Sequence, residues 1–564
     1  MGFSACAASL DSPQVLETIV DRVESARRKE KVPGAALALV EGDRLLLARG
    51  FGYADARRKT PMQADTRFNL GGFTKLLTAI AVMQQVEQGR YRLDTPITQA
   101  LPGLSIENRY DPSSVPTVEQ LLSHHGGLPN AILANNYVAD PQADLTPLPN
   151  LYVSQPVGQI YAYSNLGYLL LGHLLEAHDP RPYRDIVRQS VLAPLGITRV
   201  DFAPAEADSR GHGRRGKVRP DIFPRDQSAL GAMGSVQDLA TLASWSLRED
   251  PGPVLSADSA ARMQSVRNED VPLDLDNKSG LAWQLTNLGR FNVDRVLRLN
   301  MVTMQFRGLV LLVPEYKLGV VILANSSNSL DFVLEQGRQA MDDLLRAKAG
   351  ILPPDREQKL PGRVELPGGA VTGLMSSRYS TPLGIMEMTA RKDQFDARYL
   401  GRKFRLRPRA DGWFDIAYRL FGLINLRFNI IKEVLFRPVQ LDGQHVLLLH
   451  YQGQDFLFGT ELNGTTPQNA ADLAARSGVY LLENPDAFSE RLELKSVELS
   501  HEDGVLYALY RLPMFLTLKP KIPLLPQDRH RYYIPGLGTA LGERVVFNEQ
   551  GGFEFSGYEF RRKQ

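Results

Sequence analysis

Lys75 sits at the otherwise apolar start of the helix that the sequence encodes most strongly, where a solvated position is not the expected one. A lysine in such a place needs a polar partner or gives up its proton. Tyr163-Ser164-Asn165 brings a phenol and an amide to the start of a second apolar segment. Lysine and tyrosine both hold and pass protons, which makes Lys75 and Tyr163 candidates for acid–base work. Tyr163 and Asn165 are read as cleft residues, with core packing and a helix N-cap as the plainer alternatives, and Ser164 is the better N-cap candidate. Beside Lys75 stand Gly72, which has no side chain, and Thr74, the nearest hydroxyl, which points about 200° around a helix from position 72. His124 and His125 are adjacent in a loop and are read as structural, since such pairs rarely hold a metal. Arg307, at the start of a hairpin, is a candidate for binding a carboxylate, with a solvated arginine as the plainer alternative. The basic run Arg214-Arg215-Gly216-Lys217 is read as a solvated loop.

The elements that position these residues are legible from periodicity. A charged amphipathic helix is predicted over 12–30, then two strands, Ala35–Val40 and Leu45–Ala48, around the turn Glu41-Gly42-Asp43. Leu70 to Gln88 is predicted as one helix, with Leu76, Leu77, Ile80, Met83 and Val86 as its apolar stripe and Gly89 as its stop. Shorter helices are expected over 117–123 and 164–177. Phe306–Val313 and Leu318–Ala324 read as a hairpin of near-continuous apolar strands in a buried sheet, and Asp331–Ala347 as a closing helix.

With 564 residues the chain is too long for one ordinary core. Prolines and glycines between Ile351 and Ala370 break any regular element, and short alternating strands follow, such as Phe404–Arg407, Trp413–Tyr418 and Val446–His450. Ser377-Arg378-Tyr379 resembles Gly478-Val479-Tyr480, and Tyr418-Arg419-Leu420 resembles Tyr510-Arg511-Leu512. Phe456-Leu457-Phe458 and Phe553-Glu554-Phe555 close the two stretches. The organisation expected is an α/β domain over 10–348, an antiparallel sheet flanked by helices, then a linker over 349–370. Two all-β, lipocalin-like barrel units follow, over 371–465 and 472–564. The apolar stretch Leu420–Phe436 is read as plugging a barrel or covering a core, with a membrane surface or the cleft as alternatives.

Composition removes several function classes. Hydrophobic residues make up 43% and charged residues 23%, a globular balance. With 65 basic and 63 acidic residues the net charge is +2, so no strong field draws nucleic acid. No zinc-type Cys/His spacing, phosphate loop or dinucleotide fingerprint occurs, and neither a metal nor a cofactor is expected. Cys6 is the only cysteine, which excludes an internal disulfide. Phe3-Ser4-Ala5-Cys6 resembles the end of a bacterial lipoprotein signal without the apolar region that should precede it; the plainer reading is a tail with a chance cysteine.

The first 350 residues carry a series of local patterns in a fixed order. Phe68-Asn69-Leu70-Gly71-Gly72-Phe73-Thr74-Lys75 is followed by Leu93-Asp94-Thr95-Pro96 and Leu121-Leu122-Ser123-His124-His125-Gly126-Gly127-Leu128-Pro129. Then come Tyr163-Ser164-Asn165, the Gly-rich Ala229–Ser235 and the strand Leu318–Asn325. Together they resemble the serine β-lactamase and penicillin-binding-protein-like family, which includes class C β-lactamases, D-peptidases and esterases. The resemblance covers about 320 residues. It implies a Ser-x-x-Lys helix start whose serine forms an acyl-enzyme. It also implies a Tyr-x-Asn motif that shares a proton with the lysine and the serine, and an Asn that orients the lysine and a substrate amide.

Two of the three implied motifs are broken. The serine position holds Gly72. The third motif, Lys-Thr-Gly or His-x-Gly on a strand lining the cleft, falls on Leu299-Asn300-Met301-Val302-Thr303, with Asn300, or Leu299 one register earlier, at the basic residue's place. Lys75, Tyr163 and Asn165 remain. The resemblance therefore points to a catalytically silent bacterial relative, a pseudoenzyme, that binds a peptidoglycan-type D-peptide or another acyl ligand. Asn300 and Arg307 are its candidate ligand contacts. The alternative is an active hydrolase, acyl transferase or eliminating enzyme that uses Lys75 and Tyr163 as acid and base without a serine. The partner expected is a small-molecule or peptide acyl ligand, with no nucleic acid; membrane-surface association is left open, and oligomeric state is not fixed. The location expected is the periplasm or cell envelope, with the cytoplasm as alternative. Restoring a serine at 72 is expected to return little activity, because the strand at Asn300 lacks its basic group.

Overall fold

The structure is a computed structural model. It describes residues 10, 13–141, 145, 147–206, 208–213, 216–287, 290–354, 377–391, 394–417, 434–451, 453–462, 469–509 and 520–564. Cys6, Arg214-Arg215, the predicted linker from residue 355 onward, most of Leu420–Phe436 and the Tyr418/Tyr510 similarity lie outside the described residues.

The apolar runs near residues 35 and 320 form the centre of a six-stranded antiparallel sheet. Its order is Leu297–Val302, Arg307–Val313, Leu318–Ala324, Gly34–Glu41, Arg44–Asp55 and Thr60–Pro61. Every residue of Leu318–Ala324 is buried, as a strand covered on both faces must be. On one face pack the helices Pro13–Lys29 and Leu330–Ala349, through Ile19, Val20, Val23, Phe332, Val333 and Met341. On the other lie Thr74–Glu87, Asn165–Ala177 and Val236–Ser246, all in one apolar core. This sandwich leaves Leu297–Val302 as an edge strand, with Asn300 level with Leu309.

The central helix differs from expectation at its start. Gly71 has φ +48°, a left-handed conformation that no continuous α-helix passes through. Gly71–Phe73 therefore makes a 3₁₀ turn, and the α-helix runs from Thr74 to Glu87. A side chain at Gly71 would press on Thr303, so the close approach of helix start to edge strand also requires glycine there.

The C-terminal half forms two closed barrels of eight antiparallel strands, from Ser377–Thr381 to Gln454–Glu461 and from Gly478–Leu482 to Tyr558–Arg562. Tyr379 and Tyr480 hold equivalent places: each is buried, and each lies on a first strand that closes its barrel against the last. The aromatic alternations are not equivalent. Phe456–Phe458 lies on the eighth strand of its barrel and Phe553–Phe555 on the seventh, because Tyr558 and Phe560 supply the closing aromatics of the second. Stacked and tilted rings of Tyr480, Phe547, Phe553 and Phe560 fill that barrel's interior.

The second barrel is bound to the α/β domain through the segment 534–543. The Gln155 side chain donates to the Leu541 carbonyl at 2.7 Å and accepts from the Gly538 N–H at 3.0 Å. Tyr152 donates to Glu543 at 3.1 Å, inside the interface, and burial pushes the Glu543 carboxyl up to about 7. Gly542, at φ +74°, lies so close to the chain that a β-carbon there would overlap the Ser154 carbonyl oxygen. Gly542→Ala is therefore expected to lift this segment off the domain. Hydrogen exchange should rise across 152–163 and 534–543 and stay unchanged in the six-stranded sheet; unaltered protection at 152–163 would disprove the contact's importance.

Candidate functional site

Where the helix start, the edge strand and the loop before Asn165 converge, they enclose a cleft of about 250 Å³. Gly72, Lys75, Ser123, His124, Tyr161 and Tyr163 form one wall, and Ser279, Trp283, Gln284, Leu299, Asn300 and Val302 the other.

Lys75 is 2% exposed, in the first turn of its helix. Its Nζ lies 2.8 Å from the Tyr163 hydroxyl, 2.6 Å from Asn165 Oδ1 and 3.3 Å from the Ala229 carbonyl oxygen. Asn165 is fixed in turn: its Nδ2 donates to Asn130 Oδ1 at 3.1 Å, which keeps its oxygen turned to the lysine. Burial lowers Lys75 to about 7, opposed by the charge of Asp226. Burial also raises the Tyr163 phenol above its ordinary range. At neutral pH the pair thus couples an amine close to its titration point with a protonated phenol 2.8 Å away. That is a proton donor and acceptor in one contact.

Ser164 caps the helix behind the pair, accepting from the Gly167 N–H at 2.9 Å. The Tyr163 N–H donates to Thr539 Oγ1 at 3.0 Å, so the second barrel also holds this loop. Thr74 faces away from the cleft and accepts from the Ala232 N–H at 3.1 Å.

Gly72 adjoins the pair. A β-carbon built on it would lie 3.3 Å from both the Tyr163 hydroxyl and the Asn300 carbonyl oxygen. Helix start and edge strand thus bring Lys75, Tyr163, Asn165, Gly72 and Asn300 together. Arg307 is apart from them: its guanidinium donates to the carbonyl oxygens of Thr303 and Phe306, and it does not line the cleft.

The two histidines divide their roles. His124 Nδ1 accepts from the Ser164 N–H at 3.1 Å, and the ring lines the cleft. Burial, then the charges of Lys75 and His125, holds it well below its usual range, so it is neutral. His125 bridges Ser123 Oγ at 3.1 Å and Asp274 Oδ2 at 2.7 Å. The other Asp274 oxygen accepts from the Tyr161 N–H at 2.6 Å. This buried file fixes the Tyr161–Tyr163 loop against the domain. It also places one hydroxyl of the cleft wall beside an imidazole and a carboxylate, an order that serine hydrolases use.

Sequence reasoning missed Ser123, Tyr161, Ser279, Trp283 and Gln284. Tyr161 was within reach, since an extended segment presents 161 and 163 on one side. Ser279 and Gln284 lie in an irregular stretch with no periodicity to read.

A family model described as Beta-lactamase matches residues 20–345. Protein flp of Staphylococcus aureus is 25% identical over 329 residues, 56% of this chain; the match spans 63% of that relative's length, less than two thirds. Penicillin-binding protein 4 of Amycolatopsis lactamdurans is 30% identical over 272 residues, 43% of this chain and 68% of that protein. Among solved structures, the crystal structure of SurE is similar in fold, with a TM-score of 0.55 and 22% identity, covering 80% of this chain and 100% of that one.

Proposed function

Since the chain belongs to the Beta-lactamase family, we propose that its cleft binds an acyl compound, foremost a peptidoglycan-type D-peptide, without forming an acyl-enzyme on the helix start. The observation that carries this reading is Gly72. It stands where the family pattern has its nucleophilic serine, beside Lys75 and Tyr163, and it has no atom that can attack a carbonyl. Loss of the serine from a comparable hydrolase costs on the order of a million-fold in turnover. The pair that remains still lines one end of the cleft: Lys75 and Tyr163 face it, and Asn165 holds the lysine from behind. The two barrels are read as lipocalin-like accessory units that brace the cleft loops.

A second reading is supported by the acidity of Lys75. An amine near 7 and a protonated phenol can take and give a proton within one reaction, so water-mediated hydrolysis, elimination or acyl transfer needs no serine. The two readings separate in one assay. Nitrocefin and p-nitrophenyl esters are presented to the intact chain and to Lys75→Ala and Tyr163→Phe, while binding of a fluorescent D-peptide is followed by anisotropy. Binding without turnover supports the silent reading. Turnover that Tyr163→Phe abolishes supports the enzyme.

A further inference from the structure

The cleft wall opposite Lys75 contains a chain of hydrogen bonds whose polarity is set at one end. Arg298 has only donors. Its Nε and one terminal nitrogen lie 3.2 and 3.1 Å from Gln284 Oε1, which fixes the oxygen end of that amide toward the arginine. The same oxygen accepts from Asn300 Nδ2 at 3.2 Å. Gln284 also hydrogen-bonds the Tyr161 side chain, which holds it from the other side. The Asn300 amide is therefore not free to flip, because a flip would set its oxygen against that of Gln284. What remains is Asn300 Oδ1, buried and without a partner among the described residues. Ser279 Oγ is buried in the same wall, also without a partner among the described residues, in a residue 2% exposed. The Asn300 carbonyl oxygen adds a further acceptor next to Gly72.

Among the described residues lining the cleft, Lys75 is the only cation, and its nitrogen is already occupied by Tyr163, Asn165 and Ala229. Arg307, the other candidate for a carboxylate, is committed to backbone carbonyls. A ligand carboxylate at this wall would be desolvated beside Trp283 and Leu299 and face acceptor oxygens. A buried charge without a partner is strongly disfavoured. A ligand N–H would satisfy an oxygen that otherwise carries the cost of an unmade bond.

We infer that the cleft selects a neutral ligand carrying an amide or comparable N–H donor at Asn300, and discriminates against the free-carboxylate form of the same molecule. The inference rests on the acyl-ligand reading above and names its ligand class. Arg298, which does not line the cleft, acts as a positioning residue through Gln284, whose oxygen it fixes toward Asn300.

The test is calorimetric titration of the full chain with N-acetyl-D-alanyl-D-alanine and with its C-terminal carboxamide at pH 7. The carboxamide is expected to bind at least about tenfold more tightly. Asn300→Lys should reverse the preference, because the cation then faces the carboxylate. Arg298→Met should erase it by freeing the amide to flip, and Arg298→Lys should restore part of it. Equal or tighter binding of the acid by the wild type would overturn this inference alone, as would an unchanged preference in Asn300→Lys. Failure of both probes to bind the wild type would instead bring down the acyl-ligand reading, and this inference with it.

Discussion

Replacing Gly72 by serine is expected to turn an unreactive cleft into one that a neutral fluorophosphonate labels. Gly72 is not held at positive φ, and its β-carbon would meet only the Tyr163 hydroxyl and the Asn300 carbonyl oxygen, each at 3.3 Å. Those neighbours need to give by tenths of an ångström. The new hydroxyl would then stand beside Tyr163, which contacts Lys75 at 2.8 Å, and burial holds Lys75 at about 7, so at pH 8 most of the amine is free to take a proton. Restoring part of a contribution on the order of a million-fold should raise the labelling rate by at least about a thousandfold. Penicillins carry a carboxylate, and the strand opposite offers Asn300 rather than a cation, so Gly72→Ser should label much more slowly with a fluorescent penicillin. The sequence alone led to the expectation of little recovered activity, neutral esters included. With Lys75 and Tyr163 beside position 72, the expected loss instead falls on substrates with a carboxylate. A Gly72→Ser protein inert toward both reagents would show that the Lys75–Tyr163 pair is not poised for proton transfer.

The acidity of Lys75 makes stability depend on pH in a defined window. In the unfolded chain the lysine has its ordinary value of 10.5; in the folded chain burial lowers it to about 7. Between these values the unfolded state binds more protons at this lysine, so the Lys75 contribution to stability rises with pH from about 7 upward and is flat below. Relative to Lys75→Met, the wild-type α/β domain should gain about 2 kcal/mol between pH 7 and pH 9, at one pKa unit per about 1.4 kcal/mol. Unpartnered Asn165 and Ala229 in the variant add an offset that does not vary with pH. Tyr163 titrates above this window and His124 below it, because burial pushes the phenol up and the imidazole down. Denaturant midpoints of both proteins between pH 6 and pH 9 measure the difference. A difference constant across that range would mean that Lys75 titrates as an exposed lysine.

The parts of the molecule that were legible in advance have strong periodicity. The continuous apolar runs at Gly34–Glu41 and Leu318–Ala324 announced the doubly covered sheet, and the spacing of Leu76, Ile80 and Met83 announced the central helix. Local chemistry gave Ser164 as a cap. The 3₁₀ start at Gly71–Phe73 was hidden, because it arises from a left-handed glycine forced by contact with Thr303, a residue far away in sequence. Lys75, Tyr163 and Asn165 were found through the resemblance of their segments to the family's Ser-x-x-Lys and Tyr-x-Asn motifs, each at the start of an apolar segment. The opposite wall was not found. Ser279 and Gln284 come from a stretch without regular structure, and the role of Arg298 exists only through a hydrogen bond to a side chain fourteen positions away. The Ser123–His125–Asp274 file likewise joins a loop to a residue 149 positions on. Hydrogen bonds between irregular segments leave no period in the sequence.

The account is tested most directly by intact-protein mass spectrometry of the unmodified chain after prolonged incubation with a fluorophosphonate and with a fluorescent penicillin. It predicts the unaltered mass in both samples, with labelling of Gly72→Ser by the fluorophosphonate as the positive control. A stoichiometric adduct on the wild type would contradict it. Peptide mapping of that adduct to Ser123, 3.1 Å from His125, would identify a serine hydrolase with its nucleophile elsewhere on the wall that holds Gly72.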